Sequence, residues 1–321
     1  KVKEFGNAGS KWLGCKHSLF VTSGSGANFL RLASIKEKYQ IPNGSKVILP
    51  ACTWVTNVAP VVQLVLEPDF CDVDLETCSF DMDTLPEEDV RIVFITHLLG
   101  LNSPVEQLKK KYPNAIFLED ICESHGVKAP NGMKRGSTGL GSTFSFYYGH
   151  HMTTIEGGMI CTDNEDLYEL MKIKRSHGMA RLLSPHLYKE AIENNPDIDP
   201  AFLFLTDGYN FRNTELNAGI GLEQLKRLDE NIKLRRDNFD YFVNNLDPNL
   251  FYIPYNDPGN SSYSFPFVCK NPEDREKLKS IFDELGIEHR PIVSGNLHLH
   301  PFLKKWKDSV AVPYANKLNY V

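Results

Sequence analysis

No stretch of this chain approaches the ~18 consecutive apolar residues that a membrane-spanning helix requires. Its first residues also lack an apolar core followed by a small-residue cleavage site, so neither a membrane anchor nor a secretory leader is expected within it. The chain begins and ends abruptly, and truncation at both ends is expected. Positive charge is in deficit: 35 Lys and Arg stand against 41 Asp and Glu, for a net −6 at pH 7 with His neutral. Basic residues are mixed with acidic ones rather than gathered into a patch, which argues against nucleic-acid binding. Cysteine is sparse and unpatterned. The seven residues Cys15, Cys52, Cys71, Cys78, Cys122, Cys161 and Cys269 are odd in number and include no C-x-x-C pair. Zinc and dithiol motifs are therefore missing, and reduced, mostly buried thiols in a cytoplasmic protein are expected. There is no internal repeat and no low-complexity segment.

What is present is ample apolar sequence over 321 residues, enough for about two domains at ~100–200 residues each. From residue 21 to about 163, short apolar runs at 47–50, 91–95, 115–118 and 159–162 alternate with helical stretches at 30–39, 105–111 and 166–174. That alternation predicts buried strands in an α/β domain with a largely parallel sheet. Residues 214–245 carry an apolar stripe of Leu216, Ile220, Leu222, Leu225, Leu228 and Ile232, which predicts one long helix linking two domains. After the turn-rich 256–260, a strand at 263–269, a helix at 272–285 and a strand at 287–291 predict a small α+β domain.

Three local features carry chemistry. Thr22-Ser23-Gly24-Ser25-Gly26-Ala27-Asn28 lies between a strand-like run and a helix, where small residues let backbone N–H groups approach a phosphate. A plain helix start reads the same residues equally well. The third glycine of a dinucleotide fingerprint is missing, which excludes a Rossmann dehydrogenase. Asp120 and Glu123 follow the apolar run 115–118, at the strand end where α/β sheets assemble their sites. A carboxylate there can hold a pyridine nitrogen protonated, or simply cap a helix. Trp54 follows another strand end and suits either stacking on a flat cofactor or filling the core.

Taken in order, Gly14-Cys15-Lys16-His17, Ser23-Gly24-Ser25-Gly26-Ala27, Pro50-Ala51-Cys52-Thr53-Trp54, Glu119-Asp120, Gly141-Ser142-Thr143-Phe144-Ser145-Phe146, Glu156-Gly157-Gly158, His177-Gly178 and Gly208-Tyr209-Asn210-Phe211-Arg212 span nearly the whole chain. The set resembles the DegT/DnrJ/EryC1/StrS sugar aminotransferases, pyridoxal phosphate (PLP) enzymes of fold type I. The resemblance implies an α/β, aspartate-aminotransferase-like fold. It implies a large PLP-binding domain at 1–228, with a mostly parallel sheet flanked by helices, and a small C-terminal α+β domain at 229–321. It further implies that Asp120 partners the pyridine nitrogen, that Trp54 stacks on the ring, and that Gly24, Ser25 and Ser145 hold the phosphate. Asn210 would reach the phosphate from a neighbouring subunit, making the protein a homodimer. Glu123 takes the place near the ring hydroxyl where many relatives carry glutamine. His177, Arg212 and Arg290 would contact the substrate or the carboxylate of the amino donor, or serve as polar surface.

The departure from the pattern is the most informative position. The segment that begins at Ser145 ends, in the aminotransferases, in the lysine that binds the cofactor covalently. Here it runs into His150-His151-Met152-Thr153-Thr154-Ile155-Glu156-Gly157-Gly158, and no lysine occurs between Lys134 and Lys172. The pair His150-His151 followed by Glu-Gly-Gly is similar to the nucleotide-sugar 3-dehydratase branch, and its spacing from Ser145 favours His150 as the catalytic group. Imidazole cannot form the covalent link, but with an ordinary pKa of about 6.5 against about 10.4 for lysine it is ready to act as a base near pH 7. The resemblance therefore implies C3 deoxygenation of a nucleotide-linked 4-keto-6-deoxyhexose, GDP-4-keto-6-deoxymannose being the closest type, with L-glutamate regenerating the pyridoxamine form (PMP). This is chemistry of deoxysugar and lipopolysaccharide O-antigen synthesis. An iron–sulfur cluster, found in a related branch, is not expected, since only Cys269 lies beyond Cys161. A PLP-dependent sugar 4-aminotransferase and a non-catalytic binding protein of the same fold are the alternatives. His298 and His300, with no metal-site companions, are expected in solvated loops.

Overall fold

The computed structural model describes residues 1–87, 90–138, 140–306 and 311–318. It divides into two compact units that interleave along the chain, one of residues 1–42 and 134–229 and the other of 43–133 and 230–321.

The first unit holds three strands whose order in the sheet is His17–Val21, Gly158–Thr162, Ser142–Ser145. All pair antiparallel, with Val21 and Ser145 both opposite Gly158. The helix Gly24–Lys38 packs on them through Ala27, Leu30, Leu32 and Ile35, all buried. The expected helix at 30–39 is thus longer, starting at Gly24 with Ser23 as its cap.

The second unit holds a parallel layer of four strands in the order Ile116–Asp120, Ile92–Thr96, Lys46–Pro50, Glu67–Cys71 and, among the described residues, two short antiparallel pairs, Val73–Asp74 with Ser79–Phe80 and Phe251–Tyr252 with Val268–Cys269. Parallel neighbours need crossover connections, and the helices Val55–Gln63 and Val105–Lys111 supply two of them. The strands read as unbroken apolar runs because they are buried on both faces: Val47, Ile48, Leu49, Val93, Phe94 and Ile95 have no exposed surface. Parallel order has a functional consequence, since it brings the carboxyl ends of the strands, with Asp120, Thr96 and Pro50, to one edge.

Three expectations about local structure are corrected. The stretch 214–245 forms two helices, Glu215–Leu225 and Leu228–Asn245, rather than one. The helical ladder is interrupted at Arg227, whose N–H bonds to Gln224 O in a tighter turn while Leu228 is buried. The strand at 263–269 shrinks to Val268–Cys269. Tyr263 instead gives its N–H to Leu99 O while its carbonyl accepts from Arg235, which leaves it no ladder to join. Residues 287–291 form no strand: Gly286 ends the preceding helix in the left-handed conformation, and the Ile287 N–H bonds back to Phe282 O. His298 is not solvated. It is buried, its ring 5.2 Å from that of Phe70 and its Nε2 against Trp306 O. All seven cysteines are free thiols, five of them buried. No helix among the described residues is long and apolar enough to cross a membrane.

Candidate active site

In the first unit, Ser23 Oγ accepts the Gly26 N–H at 3.0 Å and caps the helix. First-turn N–H groups of a helix have no partners within it and form the positive end of its dipole, so Gly24 and Ser25 sit where an anion is stabilised. Gly158 lets this helix start press onto the sheet: a Cβ there would lie 2.1 Å from Ser23 O and 2.7 Å from Gly24 N. Because Ser145 is the register partner of Gly158, the structure brings Ser145 close to the same helix start.

Beyond Ser145 the chain leaves the strand and returns, with the Thr154 N–H on Phe146 O and the Phe146 N–H on Gly157 O, both at 2.9 Å. The loop so closed carries His150 and His151. His150 is half-buried, its N–H on Tyr147 O at 3.1 Å and its ring edge-on to the Tyr147 ring. His151 is only 3% exposed.

Residues 210–213 lie along the end of the strand His17–Val21. Arg212 bridges to Val21, and the Thr22 N–H bonds to Phe211 O at 3.0 Å. Arg212 and Asn210 are exposed and joined to each other, Nε donating to Oδ1 at 3.1 Å. Asn210 bridges to Ser176, and half-buried His177, in the left-handed conformation at φ 64°, gives its N–H to Tyr209 O. Asn210, Arg212 and His177 thus form one neighbourhood.

In the second unit Asp120 ends its strand and is 3% exposed. No helix follows it; Oδ1 instead accepts the Cys122 N–H at 2.8 Å, and Oδ2 accepts Asn57 Nδ2 at 2.8 Å. Trp54 precedes the helix Val55–Gln63 and is 45% exposed, which removes the core-filling reading. Glu123 accepts the Leu99 N–H on Oε2 at 3.0 Å, and its Oε1 lies 3.9 Å from Nη2 of exposed Arg290. Burial pushes the Glu123 carboxyl up to about 7; the Leu99 N–H and Arg290 oppose the rise, and neighbouring Asp120 adds to it. Arg290 and Arg235 both approach the Tyr263 ring, at 6.0 and 5.9 Å from its centroid.

Sequence reasoning missed Asn57, Thr53, Thr96 and Tyr263. Asn57 falls one helical turn after Trp54, and that spacing was the available signal. Among the described residues, no group of three His, Cys, Asp or Glu is arranged to hold a metal ion.

The fold is that of the aspartate-aminotransferase-like, fold-type-I class. Residues 1–320 match the DegT/DnrJ/EryC1/StrS aminotransferase family, and the chain belongs to that family. It is 33% identical to GDP-4-keto-6-deoxy-D-mannose 3-dehydratase of Escherichia coli O55:H7 over 317 residues, covering 96% of this chain and 81% of that one. Among solved structures it is similar to a histidine-to-asparagine mutant of GDP-4-keto-6-deoxymannose-3-dehydratase with bound GDP-perosamine. The TM-score is 0.88 at 31% identity, over 99% of this chain and 86% of the other. It is also similar to the same enzyme with a trapped PLP-glutamate geminal diamine, with a TM-score of 0.86 at 30% identity and the same coverage.

Proposed function

We propose that this protein is a PLP/PMP-dependent 3-dehydratase of a nucleotide-linked 4-keto-6-deoxyhexose, with GDP-4-keto-6-deoxymannose as substrate and L-glutamate as amino donor. The observation that carries the proposal is His150, half-buried in the loop after Ser145, in a stretch without lysine from residue 135 to 171. The residues suit the cofactor chemically. A pyridinium N–H requires a carboxylate acceptor at the ring, and Asp120 is a buried one whose oxygens already accept two neutral donors. A phosphate requires clustered donors, and the helix start at Gly24 and Ser25 beside Ser145 offers them.

When bound, the cofactor supplies an amine that condenses with the sugar ketone and a ring that accepts electrons. The chain's own residues do the rest. Asp120 partners the pyridine nitrogen and Trp54 stacks on the ring, its exposed face being available for that. Gly24, Ser25 and Ser145 bind the phosphate without a covalent tether, and Glu123 stands near the ring hydroxyl. His150 removes the proton from the carbon that bears the cofactor amine, a task imidazole performs near neutral pH. His177, Arg212 and Arg290 contact the substrate or the donor carboxylate. In net terms the sugar loses its C3 hydroxyl, glutamate becomes its 2-keto acid and the amino nitrogen leaves as ammonia. The protein acts as a cytoplasmic homodimer in which Asn210 serves the neighbouring subunit's phosphate, and residues 229–321 function as a small C-terminal domain.

Replacing His150 with asparagine tests the assignment. The variant is expected to bind PLP and PMP as the parent does and to lose dehydration; retained turnover would overturn the role given to His150.

A further inference from the structure

Around Asp120 the second unit contains a set of buried polar side chains that form a directed chain. Thr96 is the register partner of Asp120 on the adjacent strand. Thr53 Oγ1 lies 2.7 Å from Thr96 Oγ1 and donates to Asn57 Oδ1 at 3.2 Å, and Asn57 Nδ2 donates to Asp120 Oδ2 at 2.8 Å. Thr53 and Asn57 have no exposed surface, and Thr96 is 4% exposed.

The direction of every bond follows from donor and acceptor counting. A carboxylate only accepts, so the Asn57 amide must turn its NH2 toward Asp120; the flipped amide would set two oxygens against each other at 2.8 Å. Its carbonyl then faces Thr53, which spends its one proton there. Thr53 must accordingly accept from Thr96. Two further bonds anchor the backbone of the two threonines: Ser103 Oγ donates to Thr96 O, and Ser294 Oγ donates to Thr53 O, both at 2.8 Å. Asn57 also gives its backbone N–H to Trp54 O at 3.0 Å, so one helical turn supports both the carboxylate and the exposed ring.

We propose that Asn57 is the positioning residue of Asp120: held by Thr53 and Thr96, it fixes the carboxylate in the orientation that receives the cofactor's pyridine N–H. The inference rests on the role given to Asp120 above. Asn57 itself touches neither cofactor nor substrate; it acts by allowing Asp120 one rotamer. A buried, fully partnered network sets a single geometry, whereas one missing partner leaves a neighbour unsatisfied.

The test uses the full-length protein loaded with PMP labelled with 15N in the ring, and compares Asn57→Leu, Thr53→Val and Asp120→Asn with the parent. The readouts are the pyridine 15N chemical shift, the PMP dissociation constant and the melting temperature of the cofactor-free protein. Asp120→Asn is expected to move the nitrogen resonance to the unprotonated position. Asn57→Leu is expected to move it part of the way and weaken PMP binding about tenfold, the scale of one lost hydrogen bond to a charged group. Thr53→Val, which removes one hydroxyl and keeps the shape, is expected to shift the resonance in the same direction by less, and it carries the test if Asn57→Leu does not fold. If Asp120→Asn moves the resonance while folded Asn57→Leu and Thr53→Val leave it in place, Asn57 is a structural residue only and the inference is wrong, even if melting temperatures fall. If Asp120→Asn itself leaves the resonance and the affinity unchanged, the role of Asp120 fails and takes this inference with it.

Discussion

Glu123 offers a test of the site's electrostatics that needs no substrate. Its side chain is 11% exposed and is pushed by burial from an ordinary 4.5 to about 7, the Leu99 N–H and Arg290 only partly offsetting the cost of the buried charge. A carboxyl whose folded value is raised favours the folded state only while it is protonated. Between pH 4.5 and about 7 the folded chain holds a proton that the unfolded chain has released, so stability falls as pH rises through that window. At about 1.4 kcal/mol for each pH unit, the loss amounts to roughly 3 kcal/mol. Glu123→Gln keeps the shape and removes the titration. Urea unfolding of the cofactor-free protein at steps from pH 4.5 to 8 would measure the difference between parent and variant. The variant should gain about 3 kcal/mol relative to the parent from the bottom of the window to the top. Equal pH profiles for the two proteins would refute the claim that Glu123 is protonated near neutral pH. Arg290→Ala extends the reasoning: without the guanidinium 3.9 Å away, the window should stretch above pH 7.

Two other perturbations follow from single contacts. Hydrogen bonding to Cys161 is the largest influence bringing the Cys15 thiol down from 9.0 to about 7, against the opposing effect of burial. The pH midpoint for alkylation of Cys15 should therefore lie near 7 in the parent and rise toward 9 in Cys161→Ala; an unmoved midpoint would contradict the assignment. Gly158→Ala should displace the start of the helix Gly24–Lys38, because the new Cβ would lie 2.1 Å from Ser23 O. The expected cost is about 1–3 kcal/mol in chemical unfolding, together with a larger loss of affinity for PLP than for the phosphate-free pyridoxal, measured as the ratio of their dissociation constants in parent and variant. A ratio unchanged by the substitution would remove Gly158 from the support of the phosphate site.

The central strands were legible because strands buried on both faces show as uninterrupted apolar runs, as at 47–50 and 92–95. The helix Pro272–Leu285 was equally legible, from its proline start and glycine stop. The failures have one physical origin, which is that tertiary partners compete for backbone and side-chain groups. Tyr263 looks like a strand residue, but its N–H and carbonyl are taken by Leu99 and Arg235. His298 looks like a loop histidine, yet it is buried against Phe70. Nothing in the composition near residue 226 announces the break between the two helices at 215–225 and 228–245. The proposed site residues stand out in the sequence only as an ordered set and not one by one. Asn57 escaped because its one signal, a spacing of one turn from Trp54 in the apolar helix Val55–Gln63, does not name the carboxylate it meets, 63 residues away in sequence.

The proposed function requires that His150 in place of lysine redirect an aminotransferase fold from amination to deoxygenation. The most direct measurement is the mass of the sugar formed when the protein is incubated with PLP, L-glutamate and GDP-4-keto-6-deoxymannose. A product that has lost one oxygen and gained no nitrogen, with ammonia released, is the expected result. A product in which the C4 oxygen has been exchanged for an amino group would contradict the claim.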